Sequence, residues 1–226
     1  LRAEPALRRE SVTELLDLST LGGRWFESGD GPGYVVESVY EAGHCHGRIP
    51  LHRALAIDPA RPAGQVRDPR LGETEPRDFL YVDTETTGLG GSGTMVFLAG
   101  AARFEGSALH LRQFLLPGPQ YENGLLGGIS RELAGARALV SYNGKSFDVP
   151  ALESRYILSR QRPTLRALPH LDLLHPNRRL FKGVIESHRL PMVERELLGF
   201  EREDDCPSAE VPERYFRFQR SGDPTH

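Results

Sequence analysis

The chain has 226 residues, with 28 Lys and Arg against 31 Asp and Glu, and is 38% hydrophobic and 26% charged. That profile belongs to a globular protein with apolar residues enough for a sizeable core, which excludes disorder of the whole chain. No run approaches the roughly 18 apolar residues of a membrane span, which excludes a membrane protein, and a formal net charge of −3 excludes bulk attraction to nucleic acid, leaving any such binding to local basic patches or metal ions.

Cys45 and Cys206 are far apart and form no Cys-x-x-Cys, which fits a reducing cytoplasm and not a disulfide scaffold. Leu1 in place of a starting Met, and the turn-like run from Arg220 to His226, read as the ends of a piece cut from a longer chain.

In chain order, residues 10–18 space Val12, Leu15, Leu16 and Leu18 as a short amphipathic helix stopped by Gly22 and Gly23. Residues 33–40 have the β-branched and aromatic content of a strand, and the turn-rich 27–33 before it predicts a hairpin. Pro59, Pro62, Pro69 and Pro76, with little periodicity around them, make 57–77 a linker. The expected organisation is a small N-terminal α+β element over 1–56, that linker, and a main domain over 78–226 that is truncated at its C-terminus.

Within the main domain, 79–83 is a near-continuous apolar run ending in polar residues, the mark of a buried central strand that opens at a site. Strands over 94–104 and 109–116, joined by the turn at Glu105, Gly106 and Ser107, complete an antiparallel meander. A helix over 121–133, a strand over 138–142, a helix over 146–160, a strand or strand-to-helix turn over 168–174 and a helix over 190–198 ended by Gly199 follow. The pattern predicts an α/β fold: a mixed sheet of meander plus parallel strands, flanked by helices.

The sharpest chemical signal is Asp83-Thr84-Glu85-Thr86-Thr87-Gly88. Residues i and i+2 of a strand share a face, so Asp83 and Glu85 present two carboxylates side by side. Their repulsion is relieved by a cation, and hard oxygen ligands in an open cluster suit Mg²⁺ or Mn²⁺; a solvated strand end is the bland reading. The second signal is Ser141-Tyr142-Asn143-Gly144-Lys145-Ser146-Phe147-Asp148, where a strand turns into a helix whose first turn carries Asp148, favoured there by the helix dipole. Leu139 stands where a phosphate-binding loop needs glycine, so Gly144-Lys145-Ser146 is not one. His44-Cys45-His46 with His52 offers zinc ligands but no evident fourth, and packing or exposure is the expectation. Arg178, Arg179 and Lys182, and Arg155 with Arg160 and Arg162, fit either phosphate contacts or solvated faces.

Asp83-Thr84-Glu85 followed by Asn143-Gly144-Lys145-Ser146-Phe147-Asp148 resembles the DEDD-type 3′→5′ exonucleases of the ribonuclease-H-like fold, and the blocks from Leu190 to Asp205 and from Val211 to Phe216 resemble its YprB-like branch. The resemblance implies two divalent cations, Mg²⁺ or Mn²⁺, held by Asp83, Glu85 and Asp148. Asp83 would bridge both ions, Glu85 would hold the one that activates water and Asp148 the one that steadies the leaving oxygen. Thr84, Thr86, Leu89, Asn143, Lys145 and Phe147 are the candidate substrate contacts, with core packing the alternative for the aromatics, and Asp172 is a candidate accessory acid or a helix cap. The family's fourth aspartate and its histidine base, in a His-Asn-x-x-Asp motif, are expected beyond His226, so a chain limited to these residues is expected to bind metal imperfectly and cut slowly or not at all. The implied activity is 3′→5′ exonuclease action on DNA in DNA repair, in the cytoplasm, alone or with a helicase. An exoribonuclease and an inactive nucleic-acid-binding module are the alternatives.

Overall fold

The computed structural model describes residues 18–88, 93–162, 165–203 and 205–223. Residues 10–17 of the expected first helix, and Leu89, lie outside them. The elements are β1 (Arg24–Ser28), β2 (Gly31–Tyr40), β3 (Cys45–His46), β4 (Ile49–Pro50), α1 (Ala60–Val66), β5 (Phe79–Thr86), β6 (Val96–Glu105), β7 (Ala108–Leu115), α2 (Glu122–Ala134), β8 (Ala138–Ser141), α3 (Asp148–Leu158), β9 (His170–Asp172), α4 (Leu174–Leu180), α5 (Leu190–Val193) and α6 (Val211–Ser221). One seven-stranded sheet runs β1-β2-β7-β6-β5-β8-β9. The meander β5-β6-β7 is antiparallel, and β8 and β9 add in parallel beside β5. This is the expected mixed α/β sheet.

Both faces of β5 are covered, which is why it reads as an unbroken apolar run. Leu80 and Val82 enter a core shared with α2 and α3, while Phe79 and Tyr81 face a second cluster of Ala63, Leu71, Ala138, Val140 and Leu171. Helix α2 lies directly on the β1–β2 hairpin and β7. A Cβ on Gly124 would stand 1.9 Å from the Pro32 carbonyl oxygen, and one on Gly128 2.4 Å from the Phe114 ring. The glycines are what let a helix approach the sheet this closely. Tyr156 of α3 ties the two helices, donating its hydroxyl to the Leu126 carbonyl at 2.9 Å.

Two features differ from the expected organisation. The hairpin expected within a separate N-terminal element extends the main sheet: β2 pairs with β7 from Tyr34–Leu115 to Tyr40–Leu109, capping an edge that would otherwise be left unpaired. The stretch 57–77, expected as a linker, forms α1 and two short 3-10 turns, Pro69–Glu73 and Pro76–Asp78, which bury Ala63 and Leu71 against the second face of the sheet. Its prolines stand at the start or in the first turn of these short helices, where their missing N–H costs nothing, and each buries so few residues that no period shows. The helix expected over 190–198 starts as α5 and widens into a π-turn at Glu194–Leu198 before Gly199 stops it at φ 65°. Among the described residues no helix is long and apolar enough to cross a membrane.

Candidate active site

The alternation of β5 sets Asp83 and Glu85 on one side of its C-terminal end, as their spacing predicts. The ladder to β6 shifts register between Glu85 and Thr86, a bulge that kinks the strand end and re-aims its side chains. Glu85 consequently borders two cavities. The smaller, of 280 Å³, is lined by Thr84, Thr86, Thr94, Phe147 and Asp148 among others. The larger, a cleft of 960 Å³, runs from Asp83 and Glu85 past Tyr142 and Asn143 to a wall built by residues of 174–208.

Asp148 reaches this point from the first turn of α3 and is 6% exposed. Its Oδ1 accepts the Thr84 backbone N–H at 2.9 Å and the Thr84 hydroxyl at 2.6 Å. Three carboxylates thus converge on the end of one strand, and among the described residues none of them forms an ion pair. Burial first, then the charges of Asp148 and Glu85, pushes the Asp83 carboxyl up to about 6, against the Thr84 N–H and the Arg202 charge, which favour ionisation. Glu85 is raised by burial and by Asp148. Asp148 is raised by burial, partly offset by its Thr84 bonds. The Asp83 side chain still opens to cleft water, so screening softens its shift while leaving the direction.

The turn that delivers Asp148 is held from β9. Asp172 is fully buried; its Oδ1 accepts the backbone N–H groups of Asn143 at 2.8 Å and Leu174 at 3.1 Å, and its Oδ2 that of Lys145 at 3.0 Å. On the same face of β9, His170 Nε2 is hydrogen-bonded to Ser141 Oγ at 2.8 Å, and that oxygen accepts the Gly144 N–H at 3.1 Å. Asn143 takes the left-handed conformation, φ 71°, to close the turn. Gly144 is pressed so tightly that a Cβ would lie 2.4 Å from Ser141 Oγ and 2.8 Å from Asp148 Oδ2. Gly144→Ala is expected to displace Asp148, costing about 1–3 kcal/mol of stability, read from urea midpoints, and at least about tenfold in any activity that needs that carboxylate.

His170 supplies a pH test of this packing. Burial first, then the Lys145 charge, lowers its imidazole from 6.5 to about 4, with Asp172 opposing. The unfolded chain therefore takes up this proton first as pH falls. The stabilisation is whole above about 6.5 and is lost on the way down to about 4. Between pH 7 and pH 5 the protein is expected to lose about 2 kcal/mol from this residue, and His170→Gln should flatten that limb of the urea-midpoint profile.

The expected residues fall into groups. Asp83, Glu85 and Asp148 come together, with Thr86 and exposed Phe147 beside them and Asn143 on the cleft. Thr84 is already committed to Asp148, and the Thr86 hydroxyl donates to the Gly88 carbonyl. Lys145, expected beside Asp148, lines neither cavity; the pull of its backbone N–H toward Asp172 turns the residue away, and its charge acts on Asp68 and His170. Asp172, a candidate accessory acid, sits as the anchor of the turn and accepts the N–H of Leu174, the first residue of α4. The zinc candidates are dispersed: His44 packs on Tyr40, His46 on Phe200 and Glu194, and Cys45 is exposed. Arg155 pairs with Glu122 at 2.5 Å. Sequence reasoning missed His170 and Ser141, although the alternation His170-x-Asp172 carries the signal, and it missed the tightness of Gly144, which no local pattern shows.

The donor set suits a hard divalent cation: carboxylate oxygens that repel one another and lack a paired base. Among the described residues no three His, Cys, Asp or Glu side chains are gathered closely enough to enclose an ion. At their present spacing Asp148 and Glu85 still act on Asp83 through their charges.

A family profile agrees with the fold. The RNase_H superfamily profile matches residues 80–226. The uncharacterized protein YprB of Bacillus subtilis (strain 168) is 41% identical over 149 residues, 65% of this chain and 36% of that protein, so the chain spans little more than a third of this relative. Among solved structures, E. coli exonuclease I in complex with a dT13 oligonucleotide aligns at TM-score 0.46 and 15% identity, over 64% of this chain and 41% of that one. Product-bound exonuclease I aligns at TM-score 0.45 and 15% identity, over 63% and 43%. These two likenesses are too partial to bear on function. The profile covers β5 through α6 without a break, and the chain belongs to the RNase_H superfamily.

Proposed function

We propose that this chain carries the catalytic domain of a divalent-cation-dependent 3′→5′ exonuclease acting on DNA. The observation behind this reading is the convergence of Asp83, Glu85 and Asp148, unpaired by any base among the described residues, where two cavities meet at the end of β5. Two Mg²⁺ or Mn²⁺ ions held by these carboxylates would supply Lewis-acid stabilisation and a water nucleophile at neutral pH. The chain's own contribution is positional. Thr84 fixes the Asp148 rotamer through both its N–H and its hydroxyl. Phe147, 53% exposed on the rim of the smaller cavity, offers a flat apolar face on which a strand's terminal base stacks. Asn143 faces the cleft with a free choice of donor or acceptor for a sugar or base edge. Work in DNA repair, in the cytoplasm and alongside a helicase, accompanies this reading through the family resemblance.

The test uses the natural full-length protein on DNA and RNA single strands labelled at the 3′ or the 5′ end, with Mn²⁺, Mg²⁺ or EDTA. Immediate loss of a 3′ label from DNA and progressive shortening of the 5′-labelled strand, both abolished by EDTA, are expected. Trimming of RNA alone would replace the reading with an exoribonuclease. Binding without cleavage under every cation would replace it with an inactive binding module.

A further inference from the structure

The far wall of the 960 Å³ cleft carries arginines that the proposed chemistry does not use. Arg202 is already engaged: it donates to Glu194 at 2.6 Å and pairs with Asp205 at 3.3 Å. Arg178 and Arg189 are exposed, line the same cleft as Asp83 and Glu85, and form no ion pair among the described residues.

Their placement is built, although they lie on different segments. Tyr142, just past β8, donates its hydroxyl to the His188 carbonyl at 2.5 Å, and His188 Nδ1 is hydrogen-bonded to Asn177 Oδ1 at 2.5 Å. Asn177 itself is buried. Arg178 and Arg189 each follow one member of the bonded Asn177–His188 pair, so the bridge joins the two segments that carry them, and the Arg178 charge acts on the Tyr142 hydroxyl. The same tyrosine leads into the turn that positions Asp148. One hydrogen-bonded chain thus ties the two segments that carry these arginines to the strand end that leads to Asp148. Glu186 is the remaining acid on that wall, and it leaves the pair a local positive surplus.

We infer that Arg178 and Arg189 hold successive backbone phosphates of a single strand lying in this cleft, with its end at Asp83 and Glu85. The inference rests on the nuclease reading and extends it to the path of the strand behind the cleaved end. Arginine suits the task because its planar fork meets two phosphate oxygens at once and stays charged at any working pH. Contacts to phosphates carry no base preference, so the lane accepts any sequence.

The test is equilibrium binding of a fluorescent oligothymidylate to the natural full-length protein in Ca²⁺ over a salt titration, comparing wild type, the Arg178→Gln/Arg189→Gln double variant and Arg179→Gln. Arg179 is the control: it lies on the same helix, is exposed, and is hydrogen-bonded to the Gln65 carbonyl away from the cleft. Each single-strand phosphate contact steepens the log–log salt dependence by about 0.7, so the double variant should bind about tenfold more weakly and with a slope shallower by about 1.4. Arg179→Gln should leave both unchanged. A double variant with the wild-type slope, or a control that shifts as much per charge removed, overturns the phosphate lane while wild-type binding keeps the nuclease reading standing. A wild-type protein that holds no single strand at all overturns both.

Discussion

Asp83→Asn is expected to remove at least about 10³-fold of the cation-dependent trimming while making the cation-free protein more stable at pH 8. Both effects have one cause. The Asp83 carboxyl is raised from 3.8 to about 6 by burial and by its two acidic neighbours. A carboxyl raised in the folded state contributes stability that is fully present below about 4 and is lost as pH rises through about 6, because the unfolded chain releases the proton first. Two units correspond to about 3 kcal/mol, but Asp83 opens to cleft water, and screening leaves about 1 kcal/mol. Asn keeps the shape and removes the charge, so urea midpoints in EDTA should rise at pH 8 and stay unchanged at pH 4. Activity lost together with stability would mean that Asn misfolds the strand end. Activity retained would remove Asp83 from the reaction centre. A site that destabilises its own fold is the expected condition of carboxylates kept together for a cation.

Asp172 should behave in the opposite way. Asp172→Ala is expected to cost about 3–5 kcal/mol, since it leaves the N–H groups of Asn143, Lys145 and Leu174 without their buried charged acceptor. Asp172→Asn keeps Oδ1, and with it the bonds to Asn143 and Leu174, and loses the one to Lys145; it should cost about 1–2 kcal/mol and no more than about tenfold in turnover. Chemical denaturation read beside kcat separates the two roles of this residue. A positioning role predicts that stability and turnover fall together and that Asn rescues most of what Ala loses. An Asn variant as inactive as Asp83→Asn yet fully stable would make Asp172 an acid of the reaction.

The contrast between these two aspartates shows where sequence reading reaches and where it ends. Asp83 and Glu85 were legible because strand alternation alone puts residues i and i+2 on one face, and the apolar lead-in from Phe79 to Val82 marks a buried strand. The meander was equally legible, its turn at Glu105, Gly106 and Ser107 closing with Gly106 at φ 63°. Asp148 was legible as the first-turn acid of a helix. Asp172 presents the same local grammar, a polar residue ending a short strand, and only the fold shows that its oxygens face two backbone N–H groups of a turn nearly 30 residues earlier in the chain.

The stretch 57–77 is a second case. Its prolines read as breaks, but the second face of the sheet stood open, and Ala63 and Leu71 cover it. Nor does anything local to 31–40 announce that this hairpin docks on β7. The strand and helix periods, the paired carboxylates at the end of β5 and the glycine-punctuated turns are written locally in the chain, because each depends on neighbours within one or two turns. Only the folded chain shows which edge the hairpin joins, which way Lys145 faces, and that Arg178 and Arg189 line the same cleft as Asp83. Those outcomes depend on contacts between residues far apart in the chain, whose energies no local pattern records.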